Sequence, residues 1–295
     1  MTHRKLPLLL IAFASLLALP FSAAVAQNPP QQAQSGNDDN EVANTSDEIV
    51  VQGVKYKDRL APVLVHGSPM LTNGHKRLAN WSEMFIDCVK HYNVRVLHDA
   101  IDGPPEYSTT RFALGRLIQQ HRGCYPNYRI PEHTAIELGT CNPANLDRGI
   151  LPFMQCRAPY DRGAILRAVM AEYAADLTLT RAETQDAAVK ARFNSREVER
   201  NKLRRDRDKL LFEISVCMTR LQPALATQLV AVHVERARQF ALEDALFIGA
   251  HQCVGYAKRM DVPPDLFRAY ISDAVYRWVV AARGVDSLIP DDDNG

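Results

Sequence analysis

The chain has 295 residues, and its 35 lysine and arginine residues nearly balance its 34 aspartate and glutamate residues, for a formal net charge of +1 at pH 7. This balance lacks the strong basic excess of nucleic-acid-binding domains, so we expect no nucleic-acid partner. A chain of this length can bury a stable core by itself, which excludes the class of very small proteins that fold only with disulfides or metal ions.

The first 26 residues have the features of a secretory signal peptide. Arg4 and Lys5 precede an almost wholly apolar run over 6–19, and the A-x-A motif at 24–26 suits cleavage before Gln27. The apolar run is shorter than the roughly 20 residues of a membrane-spanning helix, which favours a cleaved signal over the alternative of a retained anchor. We therefore predict a periplasmic or secreted protein with no transmembrane span after signal cleavage.

All six cysteines lie beyond this signal. An even number of cysteines in an exported chain favours disulfides over metal ligation or redox catalysis, and six cysteines permit 15 pairings. Two pairs share one spacing, because in each pair the members are 36 positions apart. The predicted disulfides are Cys88–Cys124 and Cys217–Cys253, which have that spacing, and Cys141–Cys156 from the remainder.

The residues around the two equally spaced pairs are similar. The segment FIDCV at 85–89 corresponds to ISVCM at 214–218, and an apolar, tyrosine-ended helix is predicted after each pair, at 164–173 and 267–276. We interpret this similarity as two diverged copies of one helical unit. The predicted fold is all-α, with two diverged, disulfide-tied helical repeats joined by a long charged helix and preceded by a disordered N-terminal leader.

This interpretation divides the chain into five segments. They are a signal peptide at 1–26, a disordered or extended leader at 27–78, helical repeat 1 at 79–178 with a disulfide-stapled insert at 125–157, a charged helical connector at 179–209, and helical repeat 2 with an acidic tail at 210–295. Strand signals are nearly absent outside Ile49-Val50-Val51, which supports the all-α prediction.

Several predicted helices have recognisable first turns. Capping boxes, in which a side-chain oxygen accepts a hydrogen bond from a free backbone N–H, are predicted at Asn80 and Thr180, and another at Asn194 restarts or reinforces the connector helix. Proline suits the first helical turn, so Pro223 and the pair Pro263-Pro264 are also predicted to begin helices.

Two segments are candidates for a functional role. The insert at 125–157 has no counterpart in the second repeat, and such additions often carry function, although decorative packing is the alternative. The connector holds nine basic and four acidic residues over 190–209. This charged run predicts either a face that binds anionic lipid, lipopolysaccharide or another polyanion, or a solvated helix that links the repeats.

The leader contains the sequence DEIVVQG over 47–53. This segment resembles the TonB box of TonB-dependent outer-membrane receptors, in the version found in some alphaproteobacteria. The resemblance implies that the segment adds a β-strand to a periplasmic energising protein, a role that suits its β-branched residues. It covers seven residues, and nothing further along the chain resembles the plug or barrel of those receptors. The implied partner is a periplasmic or outer-membrane protein, and the candidate binding residues are Glu48, Ile49, Val50, Val51 and Gly53.

The doubled helical unit is also similar to known proteins, over most of residues 80–282. The unit resembles a group of exported all-α proteins from alphaproteobacteria. That group has no known activity, so the resemblance implies the fold and the exported location, and no chemistry.

Motifs of catalysis and ligation are missing from the sequence. The histidines lack metal-ligand spacing, Ser68 lacks the G-x-S-x-G elbow of a nucleophilic serine, and no glycine-rich phosphate loop occurs, so we expect no cofactor or metal.

Two classes of function stay open. One is a periplasmic binding or structural module associated with the outer-membrane transport machinery, and the other is a small hydrolase-like periplasmic enzyme whose site is assembled from residues distant in sequence. A deep pocket that gathers histidine, carboxylate and hydroxyl groups would favour the enzyme, and a shallow apolar patch on the helices would favour the module.

Overall fold

Helices dominate the part of the chain that the computed structural model describes, which comprises residues 63–65, 69–124, 150–231, 235–255, 257 and 259–290. The predicted all-α class is therefore confirmed. In chain order the helices are α1 Pro69–Cys88, α2 Val94–Asp102, α3 Ser108–Gln120, α4 Ile150–Tyr173, α5 Arg181–Gln185, α6 Ala187–Arg200, α7 Asp206–Leu221, α8 Pro223–Val230, α9 Arg236–Gly249 and α10 Pro264–Arg283.

Two short 3-10 helices carry the second cysteine of each pair, at Arg122–Cys124 and His251–Val254. Two three-residue strands, β1 at Val63–Val65 and β2 at Arg259–Asp261, pair in parallel with Val63 opposite Arg259. Neither strand was expected from the sequence, since runs of three residues are too short to show an alternating pattern. Because β1 and the first part of α1 precede residue 79, the predicted leader at 27–78 extends too far into the folded part of the chain.

The same order of elements occurs twice. A long helix, a short helix, a helix of intermediate length, a 3-10 helix and a second long helix follow one another as α1 to α4 and again as α7 to α10. In both segments an arginine of the last helix donates to carbonyls at the end of the short helix: Arg162 to Ala100, and Arg268 to Leu229. The repeat interpretation stays a prediction, and superposition of the two segments is its test.

Two of the three predicted disulfides are confirmed. Cys88–Cys124 and Cys217–Cys253 have Cα–Cα distances of 5.5 and 5.7 Å, as usual for a disulfide. They differ in burial, because Cys217 and Cys253 are 3% and 2% exposed whereas Cys88 lies at the surface. Cys141 and the side chain of Cys156 lie outside the described residues, so their pairing stays a prediction.

The core is organised around α10. This helix packs against α1, α4, α6, α7 and α8, and its residues from Pro264 to Ala281 are almost all buried. The crossing with α4 is close, because a Cβ added at Gly163 would lie 2.7 Å from the Cα of Ala269. A glycine at this position lets the two backbones approach, and it brings the polar residues of both helices to one place.

Several predicted helix starts are confirmed by the cap geometry. The Thr180 side chain accepts from the backbone N–H of Glu183, and the Glu183 side chain completes a capping box. Pro223 and Pro264 occupy the first turns of α8 and α10. In these three cases the signal depends only on the first helical turn, and no tertiary contact replaces it.

The predicted helix start at Asn80 is wrong, because α1 begins at Pro69. Ser82 of that motif lies inside the helix, where its hydroxyl donates to the carbonyl of Leu78, one turn earlier, and to Asp161. A capping residue is tolerated in a helix interior when its side chain bonds the preceding turn or a tertiary partner.

The connector is not one long charged helix. Helix α6 ends at Arg200, and α7 begins at Asp206 after a non-helical step. The predicted restart at Asn194 lies inside α6, which is instead capped by Asp186. Leu210 of α7 is 55% exposed, although it is a large apolar residue. The break after Arg200 positions the polar site described below.

Among the described helices, none is long and apolar enough to cross a membrane.

Candidate functional site

One carboxylate, that of Asp273 in α10, is surrounded by four guanidinium groups. Arg200 and Arg204 donate to its two oxygens at 2.9 and 2.6 Å, and the Nε atoms of Arg277 and Arg162 lie 3.3 and 3.8 Å away. All five residues are buried. We call Arg162, Arg200, Arg204 and Arg277 the arginine cluster.

Three more carboxylates balance the charge of this cluster. Glu197 lies 3.1 Å from Arg200, Asp208 lies 3.0 Å from Arg204, and Asp102 lies 3.2 Å from Arg277. Burying a charge costs several kcal/mol unless it is paired and hydrogen-bonded. Four arginines and four carboxylates, counting Asp273, meet that requirement as a set.

The arginine cluster also satisfies the carbonyl end of α2. Arg162 donates to Ala100 at 2.9 Å and to Ile101, Arg277 donates to Ile101, and Arg200 donates to Gly103 at 3.0 Å. The last carbonyls of a helix have no partner within the helix and carry its negative dipole end, so cations are favoured there. The cluster therefore fixes α2 against α4, α6 and α10.

The break between α6 and α7 follows from the same contacts. Asn201 donates to the backbone carbonyl and to the side chain of Glu197, and its own oxygen accepts from Arg204. Arg204 in turn reaches Asp208 and Asp273. A continuous helix would place Arg204 differently, so tertiary hydrogen bonds override the helical tendency of the connector.

Burial and charge act against each other in the site. Burial raises the pKa of Asp273, but the surrounding arginines outweigh it and hold that pKa well below its usual range. Burial lowers the pKa of Arg162 to about 9, although Asp273 opposes the shift. Arg162 remains charged at neutral pH, yet it is less well stabilised than Arg204, whose pKa is raised by Asp273 and Asp208 against its burial.

A cavity of about 190 Å³ lies over this network, between α3, α4, α7 and α10. Its walls combine charged groups of the network with small and apolar residues. The lining comprises Pro105, Glu106, Thr110, Arg111, Leu114, Ala158, Pro159, Arg162, Gly163, Arg204, Arg205, Asp208, Ala269, Tyr270 and Asp273.

Two arginines of the cavity have unused donors. Arg162 is 7% exposed, and its buried Nε–H has no hydrogen-bond partner. Arg111 of α3 makes no side-chain hydrogen bond or ion pair with another described residue. The nearest carboxylate oxygen to the Arg162 Nε belongs to Asp273 and lies 3.8 Å away, beyond hydrogen-bonding distance, and a buried donor without an acceptor is costly.

An apolar groove adjoins the cavity on α3. It has a volume of about 910 Å³ and shares Arg111, Leu114 and Ala158 with the cavity. Phe112 lines the groove and is 72% exposed, which is unusual for a phenylalanine. The groove is an apolar patch on a helix, the feature that we expect of a binding module.

A second polar cluster joins α1 and α4. Ser82 donates to Asp161 at 2.7 Å, and the Nδ1 atom of His75 bonds the hydroxyl of Tyr160. Burial lowers the pKa of His75. Ser82 and Asp161 are buried, and neither lines the cavity or the groove. The contacts pair serine with aspartate and histidine with tyrosine, so they lack the serine–histidine contact of an activated nucleophile.

The basic run over 190–209 does not form a solvated linker. Two of its arginines, Arg200 and Arg204, belong to the buried cluster. Arg192 donates to the carbonyl of Ala281 at 2.8 Å, and Arg196 pairs with Asp286. These contacts hold α6 to the end of α10 and take four basic residues away from the predicted lipid- or polyanion-binding face.

Other sequence-predicted residues lie away from this site. Glu48, Ile49, Val50, Val51 and Gly53 are outside the described residues, as is most of the insert at 125–157. The described residues contain no group of three or more histidine, cysteine or acidic side chains placed to hold a metal ion.

No sequence motif marks Arg162, Asp273 or Arg277 as site residues. Their signal is a charged residue within an apolar helical run, as in the stretch AYISDAVYRW at 269–278. Such a charge needs a buried partner, although its sequence neighbours do not show which one.

Comparisons with protein-family models, curated proteins and solved structures found no match for this chain, so its own geometry carries the functional argument.

Proposed function

We propose that the protein is an exported helical binding module that takes a small anionic ligand in the cavity between α3, α4, α7 and α10. The observation that carries this proposal is the buried Nε–H of Arg162, which lacks an acceptor in a residue that lines the cavity. Arg111 supplies a second cation at the wall. A carboxylate can accept from both, and charge-assisted hydrogen bonds of this kind are stronger than neutral ones.

The same walls favour binding over the alternative, hydrolysis. Among the described residues that line the cavity there is no histidine, serine or cysteine. The hydroxyl of Tyr270 donates to Asp208 at 2.6 Å, and burial raises the pKa of this tyrosine far above neutral pH. General base catalysis needs a group whose pKa lies near the working pH, and Tyr270 does not meet that need.

The exported location rests on the signal-like start and on the cysteines. Two disulfides are present in the described structure, and stable disulfides belong to oxidising compartments such as the periplasm. The predicted signal peptide with its cleavage site before Gln27 agrees with that location.

Calorimetry and thermal unfolding with acetate, succinate and benzoate test the proposed ligand class. We expect at least one of these anions to bind and raise Tm, because a ligand that binds the native state stabilises it, by about 2.7 kcal/mol at a hundredfold excess over Kd. Ala158→Phe should abolish the effect, since the added ring fills the cavity and leaves every arginine in place.

The matched control is Ala224→Phe, which makes the same change at an exposed position of α8 away from the cavity. It should bind the anion as the unchanged protein does. Binding that survives Ala158→Phe would place the site elsewhere, and the absence of binding by any anion would end the proposal.

The TonB-box-like segment supports a proposed link to the outer-membrane transport machinery. In this proposal the segment at 47–53 adds a strand to the periplasmic domain of TonB through backbone hydrogen bonds. Val50→Pro should abolish capture by the immobilised TonB domain, because proline removes a backbone donor. Val54→Pro, just outside the segment, is the control and should be captured. Failure of the unchanged protein to be captured would refute this link.

A further inference from the structure

We infer that the ligand is a free long-chain carboxylate, whose head group binds Arg162 and Arg111 in the cavity and whose hydrocarbon chain lies in the apolar groove on α3. This inference rests on the proposed function and names its ligand class.

The sizes of the two spaces lead to this class. Pockets that enclose a ligand of drug size have volumes of about 300 to 1,000 Å³. The cavity, at about 190 Å³, is below that range and suits a head group of a few atoms. The groove, at about 910 Å³, is within it. A single molecule can occupy both, because Arg111, Leu114 and Ala158 line both spaces.

The chemistry of the groove is that of a hydrocarbon site. Helical positions three or four residues apart share a face, and this spacing puts Phe112, Gly115 and Ile118 of α3 along one side, beside Leu114 and Ala158. No acidic residue is among the described residues that line the groove. An extended apolar chain is therefore favoured along α3.

Two arginines of α3 line the groove, one of them at its junction with the cavity. Arg111 lies at the junction between cavity and groove, and Arg116 lines the groove further along α3. Arg116, like Arg111, makes no side-chain hydrogen bond or ion pair with another described residue. A carboxylate at one end of an apolar chain matches this distribution of charge, whereas a ligand charged along its whole length would leave the apolar groove without a partner.

A chain-length series measures the role of the groove. Butyrate, octanoate and dodecanoate are titrated by calorimetry into the full mature protein, below the concentration at which dodecanoate forms micelles. We expect the affinity to rise with length, by up to about fourfold for each methylene that leaves water. Dodecanol, which has the chain without the charge, should bind at least tenfold more weakly than dodecanoate.

One variant distinguishes the binding of the hydrocarbon chain from the binding of the carboxylate head group. Phe112→Ser, which adds no charge, should weaken dodecanoate at least tenfold and butyrate far less, because Phe112 lines the groove and is absent from the cavity. Leu210→Ser makes the same kind of change at an exposed apolar position of α7 and should leave both ligands unchanged.

The outcomes distinguish this inference from the proposed function. Equal affinities for all three carboxylates would overturn the inference and leave anion binding in place. Dodecanol binding as tightly as dodecanoate would contradict the role of the arginines and with it the proposed function. No binding of any carboxylate would overturn both, and binding to phosphatidylglycerol vesicles without binding of free dodecanoate would overturn the inference in favour of a membrane surface.

Discussion

Replacing Asp273 by alanine should lower the free energy of unfolding by about 3–5 kcal/mol, the range found when one partner is removed from a buried ion pair. Asp273 is 4% exposed and pairs with the arginine cluster, so its loss leaves four buried cations with three carboxylates. Urea denaturation followed by circular dichroism measures the change. A loss near zero would mean that the cluster does not depend on this carboxylate.

Asp286→Ala is the matched control, because Asp286 pairs with Arg196 while its own side chain is 96% exposed. Exposed ion pairs contribute little to stability, so this variant should unfold like the unchanged protein. If Asp273→Ala does not fold, Asp273→Asn keeps the shape of the side chain and removes its charge, and the comparison is made with that variant.

The pH dependence of unfolding provides an independent test of the contact between Asp273 and the arginine cluster. The arginines hold the pKa of Asp273 below its usual range in the folded state, so the unfolded chain takes up a proton first as the pH falls. The stability due to this group is complete above the unfolded pKa, about 3.9, and is lost as the pH falls through the folded value. Tm should therefore fall less steeply below about pH 5 in Asp273→Asn than in the unchanged protein.

The second large effect concerns the buried disulfide. Both confirmed disulfides close loops of the same sequence separation, 36 residues, so the chain-entropy contribution is about 4 kcal/mol for each. Joint replacement of Cys217 and Cys253 by alanine should lower the free energy of unfolding by about this amount, since the loop is no longer closed.

Their difference in burial makes the two bonds a matched pair. A mild reductant should open Cys88–Cys124 first, because Cys88 is exposed and thiol exchange requires access to the sulfur. Cys217 and Cys253 should be reduced only when the protein unfolds. Alkylation followed by mass spectrometry gives the order, and equal rates for the two bonds would contradict the burial of Cys217–Cys253.

The disulfides could be predicted because the equal spacing of two cysteine pairs is visible in the sequence. Caps such as Thr180 and Pro223 could be predicted for a similar reason, since their hydrogen bonds reach only the next helical turn. Asn80 misled the prediction because Ser82 found partners inside α1 and on α4. A local motif predicts an element only when no tertiary contact competes for its side chains.

The arginine cluster could not be predicted from local patterns. Asp273 meets Arg200 and Arg204 across sequence separations of 73 and 69 residues. The charged run at 190–209 predicts a helix, yet the contacts of its arginines with α10 depend on the non-helical step after Arg200. The cavity depends further on the close crossing of α4 and α10 at Gly163, which only the packed helices reveal.

Anion binding at Arg162 is tested most directly by the NMR signal of the side-chain Nε–H of this arginine. The protein is labelled with ¹⁵N-arginine, Arg162→Lys identifies the signal, and dodecanoate is then titrated. We predict that the Arg162 signal shifts as the anion accepts from its Nε–H, which has no hydrogen-bond partner in the structure. The Arg200 signal, whose Nε already donates to Glu197, should stay in place. A ligand that binds without moving the Arg162 signal would contradict this account.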